Sequence, residues 1–343
     1  MTRLRMSVYL EQYRLGSDWT TEPGPSGMNN TTTLIRSGNK RYVLREYNNH
    51  KDSKKAEFEH AVLKALHTDE RLTLLTPVPL PNEQRNTVTL ASDGTLAALF
   101  EFIPGERPDV SRPEIVRSLG AAAAEISLAL ERLKALPEPI YEPYWMLEDS
   151  YAAINDAAVA ELTSSYEELT KRSEKLAAIT RCRKRLGERL EAIKSLPRQW
   201  IHGDVNASNS LSVRDDVTAI LDFEFVTMDA GAMEPAVAIA DLLSRQNANC
   251  KERIALFCEG FGSVRKLSVI EAELMPDLVR LRLIDVALHF AVRLLERLDS
   301  PTVLAGIVDN VEAACRWTEE HESWLSELAV QHLASGEDRG LKL

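Results

Sequence analysis

Three residues close together in the chain could carry phosphoryl transfer. They are Asp204, in the run Trp200-Ile201-His202-Gly203-Asp204; Asn209, five residues further on; and Asp222, which ends the apolar run Ala219-Ile220-Leu221. A carboxylate can orient an acceptor hydroxyl and take its proton, which assigns the base to Asp204. The amide oxygen of Asn209 and the carboxylate of Asp222 are hard donors of the kind that suit Mg²⁺, an ion that shares its shell with substrate phosphates. Base, amide and carboxylate in this order are the set that phosphoryl transfer to a hydroxyl requires. The elements around them agree. Asp215-Asp216 marks a turn, so 211–213 and 218–221 read as the arms of a hairpin that carries Asn209 and Asp222 at its two ends. Adjacent ends put both oxygens on one metal. Any one fragment alone would be a turn or a strand-end acid; the order and spacing together point to the site.

His202-Gly203-Asp204, then Asn209, then Leu221-Asp222-Phe223 resembles the signature of the aminoglycoside phosphotransferase and homoserine kinase (type II) superfamily, which is choline kinase-like. The form Leu221-Asp222-Phe223-Glu224-Phe225 looks more like the homoserine-kinase-like branch. The resemblance implies an α+β, bilobal protein-kinase-like fold. A small N-terminal β-sheet lobe (1–103) would bind the nucleotide, and a large helical lobe (104–343) would carry catalysis and substrate binding. ATP and Mg²⁺ are the implied cofactors, held in the cleft between the lobes. The implied partner is a small-molecule hydroxyl acceptor. Homoserine or another amino alcohol stands first, and an aminoglycoside or choline-like alcohol second.

The resemblance also assigns residues upstream. A loop of small residues lets backbone N–H groups approach phosphate oxygens. The Gly/Pro-rich segment 22–30 lies where the superfamily covers its nucleotide, which makes Ser26, Gly27, Asn29 and Asn30 candidates, although its sequence fits neither the Walker pattern nor Gly-x-Gly-x-x-Gly. On the next strand, Tyr42-Val43-Leu44-Arg45 places arginine where the superfamily usually has a phosphate-binding lysine. A guanidinium still neutralises phosphate, with forked geometry that an ammonium lacks. Glu59, with Glu57 as the fallback, matches the glutamate that orients this cation. Glu101, Phe102 and Ile103, after the last strand of the first lobe, fall where adenine is bound. Asp241 corresponds to an aspartate that braces the catalytic loop.

Periodicity and breakers supply the scaffold. A short helix is expected over 7–15, strands on either side of Ser37-Gly38-Asn39-Lys40, and an amphipathic helix over 54–67. Prolines at 77, 79 and 81 force 76–81 into an extended link. Strands at 87–90 and 96–103 close a five-stranded sheet. Beyond it the chain turns helical: one long buried helix over 115–136, two antiparallel helices within 147–196, one helix from 234, one over 277–298 and a last one over 302–334. Asp285 and His289, four apart on the 277–298 helix, read as an ordinary hydrogen-bonded pair. Trp317 and Trp324, seven apart, read as core packing.

A chain of 343 residues can bury a sizeable core in two lobes. Its net charge of −11 disfavours nucleic acid and anionic membrane as partners and fits a cationic or zwitterionic substrate. Neither a long apolar run nor a signal-like leader is present, which gives the expectation of a cytoplasmic protein. Cys182, Cys250, Cys258 and Cys315 lack metal-ligand spacing and read as reduced. Two other functions are weighed. A nucleotide-binding pseudoenzyme with a structural or regulatory role is opposed by the intact Asp204, Asn209 and Asp222; a helical interaction module is opposed by the lack of any 30–45-residue repeat. Nothing in the sequence speaks to oligomeric state.

Overall fold

The computed structural model describes residues 3–16, 18–24, 30–47, 53–91, 94–134, 136–244 and 249–335. Five antiparallel strands, β1 (Trp19–Pro23), β2 (Asn30–Ser37), β3 (Lys40–Tyr47), β4 (Thr89–Leu90) and β5 (Leu96–Glu101), form a sheet in the order β1-β2-β3-β5-β4. Side chains on a strand alternate between faces, so each strand serves two cores. Leu44 of β3, with Ala97 and Leu99 of β5, packs against Tyr9 and Leu10 of the N-terminal helix Arg3–Leu10. Tyr47, Leu96, Ala98 and Phe100 join the other core, which includes Phe58, Val62, Leu63 and Leu66 of the helix Ser53–Leu66. Arg45, next to Leu44, therefore points to the side where that helix lies.

The segment after this helix is extended, as its prolines require, and it ties two sheets together. Leu75 pairs with Ala219 of β8 (Asp216–Ile220), the second arm of the hairpin whose first arm is β7 (Ser210–Val213), while Pro79 pairs with Phe100 of β5. A further two-stranded sheet pairs β6 (Arg198–Ile201) with β9 (Thr227–Ala230) and sets both ends of the catalytic stretch. The remainder is helical, as an α+β kinase-like fold requires, and no helix of the described residues is long and apolar enough to cross a membrane.

Several helices differ from expectation. The 147–196 stretch is not a pair of helices but a series: Leu147–Ser150, Asp156–Ser165, Glu167–Thr170, Ser173–Gly187 and Leu190–Lys194. Its helix-forming composition conceals its stops. The side chain of Asn155 accepts from the amides of Ala157 and Ala158 and starts a new helix, and Tyr166 is extended between two others. The terminal helix also breaks, at His321, into Pro301–Glu320 and Glu322–Leu333; Trp317 and Trp324 meet across that break, edge to face at 5.8 Å. The first helix lies at Arg3–Leu10 rather than 7–15, and the 87–90 strand shortens to Thr89–Leu90.

The helices Pro113–Arg132 and Cys250–Val264 cross with their backbones almost touching. A Cβ at Gly120 would lie 2.1 Å from the carbonyl oxygen of Phe257, and one at Gly260 would lie 1.9 Å from that of Arg117. No rotamer relieves a clash of backbone on backbone, so Gly260→Ala should lose about 1–3 kcal/mol or more of stability despite the better helix propensity of alanine. Chemical denaturation checks this, and an unchanged midpoint would contradict the close crossing.

Candidate active site

β6 leads into His202, whose ring closes the catalytic stretch on itself. Its Nδ1 accepts from the Asp204 amide at 3.2 Å, and its Nε2 donates to the carbonyl of Leu221 at 3.1 Å. That pattern requires the neutral tautomer with the proton on Nε2. Burial supports it by pushing the imidazole down to about 4. The ring also sits edge-on to Phe223 at 4.5 Å. The amides of His202 and Gly203 donate to the carboxylate of Glu234, at 2.7 and 3.3 Å. Glu234 thus grips the loop backbone; Asp241, later on the same helix Met233–Ser244, lines the cavity.

The hairpin does what its spacing implied. Ser210 pairs with Ile220, and the Leu221 amide donates to the Asn209 carbonyl at 2.8 Å, which brings Asn209 beside Asp222. Asn206 caps the short turn Ala207–Asn209 by accepting from the amides of Ser208 and Asn209. The side-chain nitrogen of Asn209 donates to the Asp204 carbonyl at 3.0 Å and to Asp204 Oδ2 at 2.6 Å, so the amide oxygen is the atom of this side chain that could take a cation. Asp222 has φ +66°, the left-handed region that aspartate tolerates better than most residues. That turn swings its carboxylate out of the strand line into the cavity.

Arg45 joins the two parts of the fold. Its Nη1 donates to both oxygens of Glu59, at 2.9 and 3.2 Å, and its Nη2 to Asp222 Oδ1 at 3.1 Å. Burial works against the guanidinium charge, but Glu59 and Asp222 hold its pKa well above the ordinary value. Burial also raises Glu59, against the pull of Arg45. Asn30 reaches Glu224, beside Asp222, through its side-chain nitrogen at 3.5 Å. Ser26, Gly27 and Asn29 lie outside the described residues.

Asn30, Arg45, Asp204, Asn209, Asp222 and Glu224 all line one cavity of about 1410 Å³. One end is an apolar slot, with Leu34, Val43 and Phe100 on the sheet side and Leu211 and Leu221 of the hairpin opposite. Glu101, Phe102 and Ile103 border it, and the guanidinium of Arg41 lies 3.5 Å above the Phe102 ring. The other end is polar and carries Asp204, Tyr144, Tyr151, Arg282, Asp285 and His289. The cavity exceeds the ~300–1,000 Å³ usual for one ligand, so there is room for two. Asp204, more buried than exposed, is pushed up to about 7 by burial, which outweighs the neighbouring Arg282.

Among the described residues no cluster of three or more His, Cys, Asp or Glu could hold a metal by itself. One carboxylate and one amide oxygen nevertheless fit Mg²⁺, which takes its remaining ligands from phosphates and water. Residues that spacing alone did not reveal are Glu234, Tyr144 and Arg282. The signal for Arg282 was present: arginine, aspartate, histidine and arginine at 282, 285, 289 and 293 fall on one face of the helix Met275–Leu295, whose intervening positions from 283 to 292 are apolar. Asp285 uses its oxygens on Arg282 and on the Tyr151 hydroxyl, at 3.0 and 2.7 Å, rather than on His289.

The chain matches the model of the phosphotransferase enzyme family over residues 20–262. It is 25% identical over 282 residues to a homoserine kinase of Methylobacillus flagellatus, spanning 80% of each chain. It is 26% identical over 297 residues to a homoserine kinase of Acidiphilium cryptum, spanning 80% of this chain and 81% of that one. Among solved structures it resembles a microcompartment-associated aminopropanol kinase, with a TM-score of 0.73 at 18% identity over 94% of this chain and 98% of that one. It also resembles an amicoumacin kinase in complex with AMP-PNP, Ca²⁺ and Ami, with a TM-score of 0.67 at 13% identity over 90% and 92% of the two chains. At these identities the structural likenesses speak for the fold.

Because His202 stays neutral until about pH 4 when folded, the unfolded chain binds its proton first as pH falls below the ordinary 6.5. Stability from this group is therefore present above 6.5 and lost on acidification towards 4. The stability advantage of wild type over His202→Gln should shrink by about 1.4 kcal/mol per pH unit across that window. Denaturant titrations at several pH values measure it; a constant gap would mean that the imidazole is not held neutral.

Proposed function

We propose, because this chain belongs to the phosphotransferase enzyme family, that it is an ATP- and Mg²⁺-dependent kinase for a hydroxyl of a small amino alcohol, with homoserine first among the acceptors. The observation that carries the reading is the convergence of Asp204, Asn209, Asp222 and the Arg45–Glu59 pair on one two-ended cavity. The homoserine kinases among the relatives support the acceptor class.

In this reading the apolar slot takes the adenine, with the backbone at Glu101, Phe102 and Ile103 along its edge and Asn30 on the phosphate side. Asn209 and Asp222 would hold Mg²⁺, which supplies neutralisation of the phosphate charge and a fixed geometry for it. Arg45, oriented by Glu59, turns its forked donors to the phosphates. Asp204 accepts the acceptor hydroxyl proton. A second reading, a larger aminoglycoside-like acceptor, is favoured by the cavity volume alone. A pseudoenzyme is opposed by the retention of all three chemical groups.

A screen of homoserine, other amino alcohols, choline and aminoglycosides for ATP consumption above the water background tests the proposal. The largest stimulation is expected from an amino alcohol, and a response to aminoglycosides alone would select the second reading. The two acids should also separate. Asp204→Asn should lower kcat by ~10²–10⁴ while Mg-ATP affinity stays near wild type, because it removes a positioned base. Asp222→Asn should weaken Mg-ATP binding as well as rate. If the affinity losses fall the other way round, the roles are reversed; if kcat survives in both, the site is wrong.

A further inference from the structure

Asp204 is held from two sides. Arg282 Nη2 lies 2.7 Å from its Oδ1, and the Asn206 side-chain nitrogen lies 3.3 Å from the same oxygen. Oδ2 accepts from Asn209 alone, at 2.6 Å. A carboxylate oxygen has two lone pairs, so Oδ1 is saturated and one acceptor site remains, on Oδ2. Arg282 is itself fixed. Its Nη1 donates to the Tyr144 hydroxyl at 3.1 Å and to Asp285 Oδ2 at 3.0 Å. The Tyr144 hydroxyl donates a hydrogen bond to the Gly203 carbonyl at 2.6 Å, inside the loop that carries the base. Tyr151 pins the far oxygen of Asp285.

We propose that Arg282 is the positioning residue of the base: by closing Oδ1 it turns the free lone pair of Asp204 Oδ2 towards the acceptor hydroxyl. The inference rests on the reading of Asp204 as that base. In the step, the hydroxyl proton passes to Oδ2, the acceptor oxygen bonds to the terminal phosphorus of the nucleotide, and the bridging P–O bond breaks with its electron pair leaving on the nucleoside diphosphate. In this proposal Arg282 acts through Asp204 and not on the reactants, so its effect falls on kcat.

The test compares wild type, Arg282→Met, Arg282→Lys, Arg282→Ala and Asp204→Asn, using whichever acceptor of the screen the wild type turns over fastest. Melting temperature and Mg-ATP affinity are measured in parallel. Arg282→Met should lose ~10²-fold in kcat, the size of effect that slight misplacement of a reacting group produces, with the acceptor KM and Mg-ATP affinity close to wild type. Lysine should recover part of the rate, and added guanidinium should restore Arg282→Ala. Unchanged kcat, a loss confined to KM, or a loss that neither lysine nor guanidinium repairs would each overturn the inference. A KM effect alone would make Arg282 an acceptor anchor. If Asp204→Asn is as active as wild type, or the wild type uses no acceptor, the assignment of the base itself falls.

Discussion

The site depends on setting several carboxylates beside one cavity, where burial opposes charge and pushes Asp204 up to about 7. Each is answered by a specific partner: Glu59 and Asp222 by Arg45, Asp204 by Arg282, and Glu234 by two backbone amides. Removing one partner of such a pair leaves an uncompensated charge, which costs far more than the pair contributes. The charges therefore constrain one another, and the scaffold must bring them together. β3 is held in the sheet so that Arg45 faces Glu59; the hairpin is held so that Asp222 faces Arg45; and the Met275–Leu295 helix is held so that Arg282 faces Asp204.

This arrangement explains how an arginine can stand where the superfamily usually has lysine. An ammonium makes point contacts, whereas Arg45 reaches both oxygens of Glu59 with one nitrogen and Asp222 with the other. The forked group spans the gap between the helix Ser53–Leu66 and the hairpin end.

What was legible in the sequence was local. His202, Asp204, Asn209 and Asp222 are close in the chain, and a single hairpin determines their geometry, so spacing sufficed. Arg45 and Glu59 were reachable through the superfamily pattern and meet as that pattern implies. The sheet could be read from alternation, and the Pro-rich link from the missing donors of its prolines. The pairing of Arg282 with Asp204 was not legible, because the two lie 78 residues apart in sequence and only packing brings them together. Glu234 was not singled out, because its role turns on which helical face meets the loop. The breaks at Asn155, Tyr166 and His321 were missed because helix-forming residues flank each of them.

The extended segment around 75–80 pairs at one end with β8 and at the other with β5. Its amides and carbonyls are committed in both directions: Leu75 to Thr218 and Ile220 on one side, and Leu80 to Leu99 and Val78 to Glu101 along β5 on the other. The segment is thus a strap laid over the seam, stitched to each side. Pro77, midway along the strap, lines the cavity, so the same few residues that fasten the sheet to the hairpin also form part of the cavity wall.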